Sequence, residues 1–259
     1  MPFVDLMPLY PLVVPFALVL FRVAGLFVFV PVFSNTAIPA NVKVLLALAV
    51  SVCIWGVVPR TAVPMPDGLI ALALAVIAEF SVGMLIGILT SLIFIGIQTG
   101  AHLISQQMGL SMAAVYDPMF DQQSTVIEQL AFWIALMAFF AMGGHRELIN
   151  ILVQSFRSVP LGQGLDPALM LETTLAALKS AFALAAKIGA PALIVFFLST
   201  LATGFVGKSM PQINIMTIGL GLNLMIGMLM IMLSLAAWAV VSTQAWQDFF
   251  DTLSNLFGR

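Results

Sequence analysis

QTGAHLISQQMGLSMAAVYDPMFDQQ, residues Gln98 to Gln123, decides how this chain is read. It follows an apolar run long enough to cross a membrane. It then turns to glutamines, small residues, methionines and a single Asp117-Pro118 step before another apolar run opens at Glu128. Lipid offers no partner to a free backbone N–H or C=O, so such a segment between two membrane-grade helices must be hydrogen-bonded within protein or face a water-filled cavity. The stretch is therefore expected to line or close a passage.

The composition around it is that of an integral membrane protein. Of 259 residues, 62% are hydrophobic and only 8% charged, where soluble domains carry about 25% charged residues. A net charge of -2 without a basic face disfavours nucleic acid as a partner. Cys53 is the single cysteine, so no internal disulfide can form, and an inert, packed thiol is expected. The opening MPFVDLMPLYPLVVPF lacks a basic n-region and a small-residue cleavage site, and apolar sequence runs on past Val30, which argues against a cleaved signal peptide.

Six apolar runs follow one another, predicting an all-α integral membrane protein of about six apolar helices arranged as hairpins. The first is expected to begin near Phe16, after Pro11 and Pro15, and to stop at Pro31. The second covers Val44 to Val58, and Pro39 with Asn41 in the turn between them predicts a hairpin. Leu69 to Ile97 is a long run with Gly83/Gly87 and Gly96/Gly100 at the spacing that lets helix backbones approach closely. Gln129 to Met142 is a compact helix ended by Gly143-Gly144, and the charge-rich His145 to Glu172 reads as the main hydrated connection. Asp166-Pro167 marks a new helix start. That helix is expected to carry Lys179 and Lys187, kink at Pro191, and turn at Gly207 to Pro211 around Lys208. Ile213 to Val241 places Gly219, Asn223 and Gly227 on one face, and the tail from Gln244 is amphipathic, with Trp246 suited to a membrane interface.

Charges inside apolar runs need an explanation. Facing the bilayer centre, each would cost roughly 2.5–3.5 kcal/mol. Arg22, Lys43, Glu79, Lys187, Lys208 and Asn223 are the positions expected to be buried or to serve packing. Snorkelling to the headgroups is the open alternative for Lys43 and Lys179, and pairing with a lysine is the expectation for Glu79. Known chemistry finds little support. His102 and His145 are isolated, there is no H-E-x-x-H or G-x-S-x-G, and ATGFVGKS (Ala202 to Ser209) mimics a phosphate loop without its first glycine or its strand. No cofactor, metal or enzymatic activity is expected.

Four stretches together resemble a known family: RVAGLFVFVPVFSNTAIPANVKVLLALAVS (Arg22 to Ser51), ISQQMGLSMAAVYDP (Ile104 to Pro118), GGHRELI (Gly143 to Ile149) and KIGAPALIVFFLSTLATGFVGKSMPQINIMTIGLGLNLMIG (Lys187 to Gly227). They look like the FliR family of flagellar biosynthetic proteins, shared with the inner-membrane component of virulence type III secretion systems. The resemblance implies a multi-pass subunit of the export gate in the bacterial inner membrane, within the flagellar basal body. Its implied partners are FliP, FliQ, FlhB, FlhA, the basal-body ring and proximal rod proteins, exported unfolded proteins and membrane lipid. It also implies a FliP-like part over residues 11–175 and a FliQ-like hairpin with an amphipathic tail over 176–259. A channel plug over 106–123 is implied as well. Gln106, Gln107, Met108, Gly109, Leu110, Ser111, Met112, Tyr116, Asp117 and Pro118 would form that plug. A free-standing small-molecule transporter is the alternative.

Overall fold

A computed structural model describes residues 10–34, 38–58, 68–110, 125–210 and 215–258, with side chains given from Val13 and, in the last segment, from Ile218. All regular elements among the described residues are helices: α1 (Tyr10–Phe29), α2 (Pro31–Ser34), α3 (Ala40–Trp55), α4 (Leu69–Gln107), α5 (Val126–Ala141), α6 (Gly144–Ser158), α7 (Pro167–Ser209) and α8 (Ile215–Phe257). Of these, α4, α7 and α8 are long and apolar enough to cross a membrane. The pair α5–α6, bent by 67°, makes a fourth crossing if counted as one broken span, and α1 and α3 are shorter apolar helices. The all-α membrane fold read from the sequence is the fold found.

The described chain divides into two compact units, the first comprising Met1–Leu92, Gly143–Leu178 and Asp248–Arg259. Here α1 and α3 form the expected hairpin, with Phe16 near the start of one meeting Trp55 at the end of the other edge to face, ring centroids 5.9 Å apart. This packing also carries α1 back to Tyr10, so Pro15 lies inside the helix instead of preceding it. Val14, Leu18 and Val19 are buried, and their packing outweighs the proline's local cost. The seam of α1 with the first half of α4 is built at backbone level. A Cβ on Gly83 would stand 1.9 Å from the Arg22 carbonyl oxygen, and one on Gly25 would stand 2.5 Å from that of Phe80. Residue numbers rise together along this seam, so the two helices run in the same direction.

The stretch from His145 is not a hydrated connection in its first half. α6 buries Leu148, Ile151, Leu152, Ser155 and Phe156 along one face, a spacing of three and four that outweighs the charges on the other face. Cys53, expected to be packed, is exposed.

The second unit comprises Ile93–Met142 and Lys179–Gln247. The second half of α4 and the facing part of α7 pack through the other small pair: a Cβ on Gly96 would fall 2.7 Å from the Ala181 carbonyl and one on Gly100 2.8 Å from that of Ala185. The hairpin of α7 and α8 is tied by Ser199 Oγ donating to Asn223 Oδ1 at 3.0 Å. α7 continues through Gly207 and Lys208 to Ser209, so the expected turn begins later. Trp246 is fully buried, not interfacial. Its indole N–H donates to the Ala135 carbonyl at 3.3 Å and its ring packs on Phe94 and Phe139 with centroids 4.9 and 5.0 Å away. Such edge and tilted pairs stabilise by about 0.5–1.5 kcal/mol beyond area burial.

Candidate functional site at the end of α4

Residues Gln98 to Gln107 are helical and complete α4, so the polar strip opens later than its composition predicts. Their glutamines, threonine and serine are compatible with a helix, and what stops it is Gly109. Gly109 adopts φ +78, a left-handed conformation that a side chain disfavours. Its N–H donates to the Gln106 carbonyl at 3.0 Å, and the Leu110 N–H donates to that of Ser105 at 3.2 Å. These two bonds close the Schellman motif that satisfies the last carbonyls of a helix. Gln106 and Gln107 are thus the final residues of α4, and Met108, Gly109 and Leu110 form its stop. Ser111, Met112, Tyr116, Asp117 and Pro118 lie outside the described residues.

Met108 is buried, and its side chain fills the space that the absent side chain of Gly227 leaves on α8: a Cβ there would meet Met108 Cγ at 2.3 Å and Sδ at 2.4 Å. Two turns earlier on α8, the Leu220 side chain lies 2.3 Å from where a Cβ on Gly109 would stand. Of the stripe Gly219, Asn223 and Gly227, therefore, Gly227 faces the end of α4 and Asn223 faces α7, while nothing lies within 4 Å of a Cβ on Gly219.

On the far side of the strip, Thr125 caps α5. It and Glu128 form a capping box, with Thr125 N–H donating to Glu128 Oε1 at 3.2 Å and Glu128 N–H donating to Thr125 Oγ1 at 3.4 Å. The same Oε1 lies 2.8 Å from His102 Nδ1 and receives the Thr125 hydroxyl at 2.7 Å. Gln106 Nε2 lies 2.8 Å from the other ring nitrogen of His102. With that amide donating to Nε2, the ring proton sits on Nδ1 and is donated to the carboxylate. One carboxylate oxygen thus joins the start of α5 to the last turns of α4. His102 is a helix residue, not the isolated loop histidine expected, and Glu128, read from the sequence only as the opening of an apolar run, carries in T-V-I-E the capping-box signature.

The charged positions separate into two kinds. Arg22 and Glu79 are completely buried in the first unit and meet at 2.6 Å, so the partner of Glu79 is an arginine and not a lysine. Arg22 also donates to the Ser155 carbonyl at 2.8 Å and the Val159 carbonyl at 3.1 Å, at the electronegative end of α6, and its guanidinium lies 4.2 Å above the centre of the Phe156 ring. The other oxygen of Glu79 accepts from Gly162 N–H at 2.7 Å. Lys43 is half-buried and donates to the Ser34 carbonyl at 3.1 Å. Lys187 and Lys208, expected to be buried or to serve packing, are exposed on α7 within this chain. No group of three or more metal-ligating side chains occurs among the described residues.

Close-packed glycine seams, a fully paired buried ion cluster and long helices with apolar outer faces define a polytopic membrane protein made from helix pairs. Residues 13–249 match the model of the family described as bacterial export proteins, family 1, and the chain belongs to that family. It is similar along nearly its whole length to proteins named flagellar biosynthetic protein FliR. The one from Caulobacter vibrioides is 29% identical over 238 residues, 91% of this chain and 94% of that protein. That from Escherichia coli is 28% identical over 93% of this chain and 91% of the relative, and that from Bacillus subtilis 25% identical over 93% of each.

Proposed function

We propose that the chain is a subunit of the flagellar type III protein export gate of the bacterial inner membrane. It forms there, with FliP and FliQ and beside FlhA and FlhB, the channel through which unfolded proteins leave. The family and the names of the relatives support an export role in the flagellum. The antiparallel α7–α8 hairpin fits the FliQ-like part over residues 176–259, with the FliP-like part before it. In this reading the strip over 106–123 is the plug. The observation that carries it is the bracketing of that strip: a Schellman stop seated on Gly227 precedes it, and a capped helix start bonded back to α4 follows it. The action is mechanical and uses no bond chemistry.

Deleting Met112 to Pro118, which leaves both brackets in place, should preserve assembly and make the membrane leaky to ions. Unchanged conductance of the assembled gate sinks the plug assignment. The detergent-extracted species should be a large hetero-oligomer, whereas a monomer or dimer would favour the free-standing transporter.

A further inference from the structure

We infer that the α7–α8 hairpin carries a lipid-facing belt whose edges are set by Lys187 and Lys208, with acyl chains between them and phospholipid headgroups at the two lysines. This goes beyond the gate reading and does not depend on it. Residues 188–207 of α7 hold no charged side chain, and a lysine stands at each end of them. About 20 residues at about 1.5 Å each make roughly 30 Å, the thickness of a bilayer's hydrocarbon core. Both lysines are exposed, and neither forms an ion pair among the described residues. At either edge a lysine can lay its stem along the apolar layer and lift its ammonium to the phosphates. The Ser199–Asn223 bond sets the antiparallel register. Leu235 lies as far beyond Asn223 as Lys187 lies before Ser199, so the part of α8 level with the charge-free run ends near Leu235.

The surface between those levels has the chemistry of hydrocarbon. Every exposed side chain over 188–207 and 218–235 is apolar except Thr200, whose hydroxyl donates to the Phe196 carbonyl at 2.9 Å. The half-buried hydroxyls are satisfied in the same way, Thr203 by the Ser199 carbonyl and Ser234 by that of Met230, so no hydroxyl here calls for water. Phe197 and Met225, both near mid-height, are 64% and 73% exposed. What covers them is lipid and not a sister helix, because helices meet in membranes through small residues. This chain follows that rule in its own seams, at Gly96 against Ala181 and Gly100 against Ala185. The outer face at mid-height instead presents Ile194, Phe197, Leu201, Met225 and Leu229, bulky side chains that fluid acyl chains can surround. Beyond the belt the exposed residues turn polar again, with Glu172 and Lys179 on α7 and Gln244, Gln247 and Asp248 on α8.

The test places spin labels on single cysteines of the full chain, in a Cys53→Ser background, in inner-membrane vesicles from cells that also make its partner subunits. Phe197→Cys and Met225→Cys probe mid-height, and Ala186→Cys and Met210→Cys probe just outside the two lysines. All four positions are exposed, so a label there displaces no packing within this chain. Labels at mid-height should be open to oxygen, which concentrates in hydrocarbon, and closed to a water-soluble nickel chelate. Their oxygen-to-nickel accessibility ratio should be severalfold higher than at the two outer positions. A mid-height label reached by the chelate would place water on this face, and one immobilised and closed to both reagents would place a sister subunit there; either result overturns the belt. Equal ratios at all four positions would show that the lysines do not mark its edges, and overturn it too. The unmodified chain gives a second reading that no substitution can spoil. A lipid-soluble diazirine should label residues 194–206 and 222–233 and spare 167–180, whereas equal labelling of the three stretches, or labelling of 167–180 alone, refutes the assignment.

Discussion

Arg22→Ala is expected to destabilise the first unit by about 3–5 kcal/mol, the range for stranding one partner of a buried ion pair. The magnitude follows from what is left behind. Glu79 would be left at zero exposure with only the Gly162 N–H for company, and the Ser155 and Val159 carbonyls would lose their donor. Glu79→Gln, which keeps an oxygen for Gly162, should cost less. Exchanging the two residues should not rescue either loss. Arg22→Glu would aim a carboxylate at two carbonyl oxygens, and Glu79→Arg would aim a guanidinium at the N–H of Gly162. The check is the yield and thermal midpoint of the chain in detergent. Recovery of parent stability by the exchange would show that simple charge neutralisation, and not this hydrogen-bond set, is what the site requires.

Gly83→Ala should be nearly as harmful, from a single methyl group. That methyl would meet the Arg22 carbonyl oxygen at 1.9 Å, where backbone opposes backbone and no side chain can swing away. α1 and α4 would have to part by about an ångström. Overpacking alone costs about 1–3 kcal/mol, and here the displaced helix also carries Arg22 off its 2.6 Å contact with Glu79. Gly204→Ala is the matched control, because nothing lies within 4 Å of its added carbon. Alanine in a helix interior is favoured over glycine by about 0.8–1 kcal/mol. The first variant should be recovered poorly from membranes and the second as well as the parent; equal recovery of both would show that the seam is looser than its geometry.

How much of this was legible in sequence depends on the range of the cause. The seams were visible because Gly83/Gly87 and Gly96/Gly100 carry a local spacing that fixes which helix faces can approach closely. Arg22 and Glu79 were each conspicuous in apolar runs, yet nothing local joins residues 57 apart, and a lysine looked as good a partner as an arginine. Polarity misled twice. Gln98 to Gln107 looked like loop, but a helix ends where its carbonyls find other donors, and Gly109 marks that point. His145 to Ser158 looked hydrated, although Leu148, Ile151, Leu152 and Phe156 already held helical spacing. Trp246 obeyed the packing of Phe94 and Phe139 over the interface preference of its type. The outer faces carry a further lesson: Phe182, Phe197, Phe205, Met225 and Met232 remain exposed on α7 and α8, as suits surfaces meant for lipid or for sister subunits.

The buried arginine also sets a timetable for biogenesis. During synthesis Arg22 leaves the ribosome 57 residues before its counter-ion and 133 before the carbonyl of Ser155. Until that later stretch is made, the newborn first helix is a poor tenant of the hydrocarbon layer. It must wait at the insertion machinery or the water boundary, and it becomes a membrane resident only when its distant companions arrive.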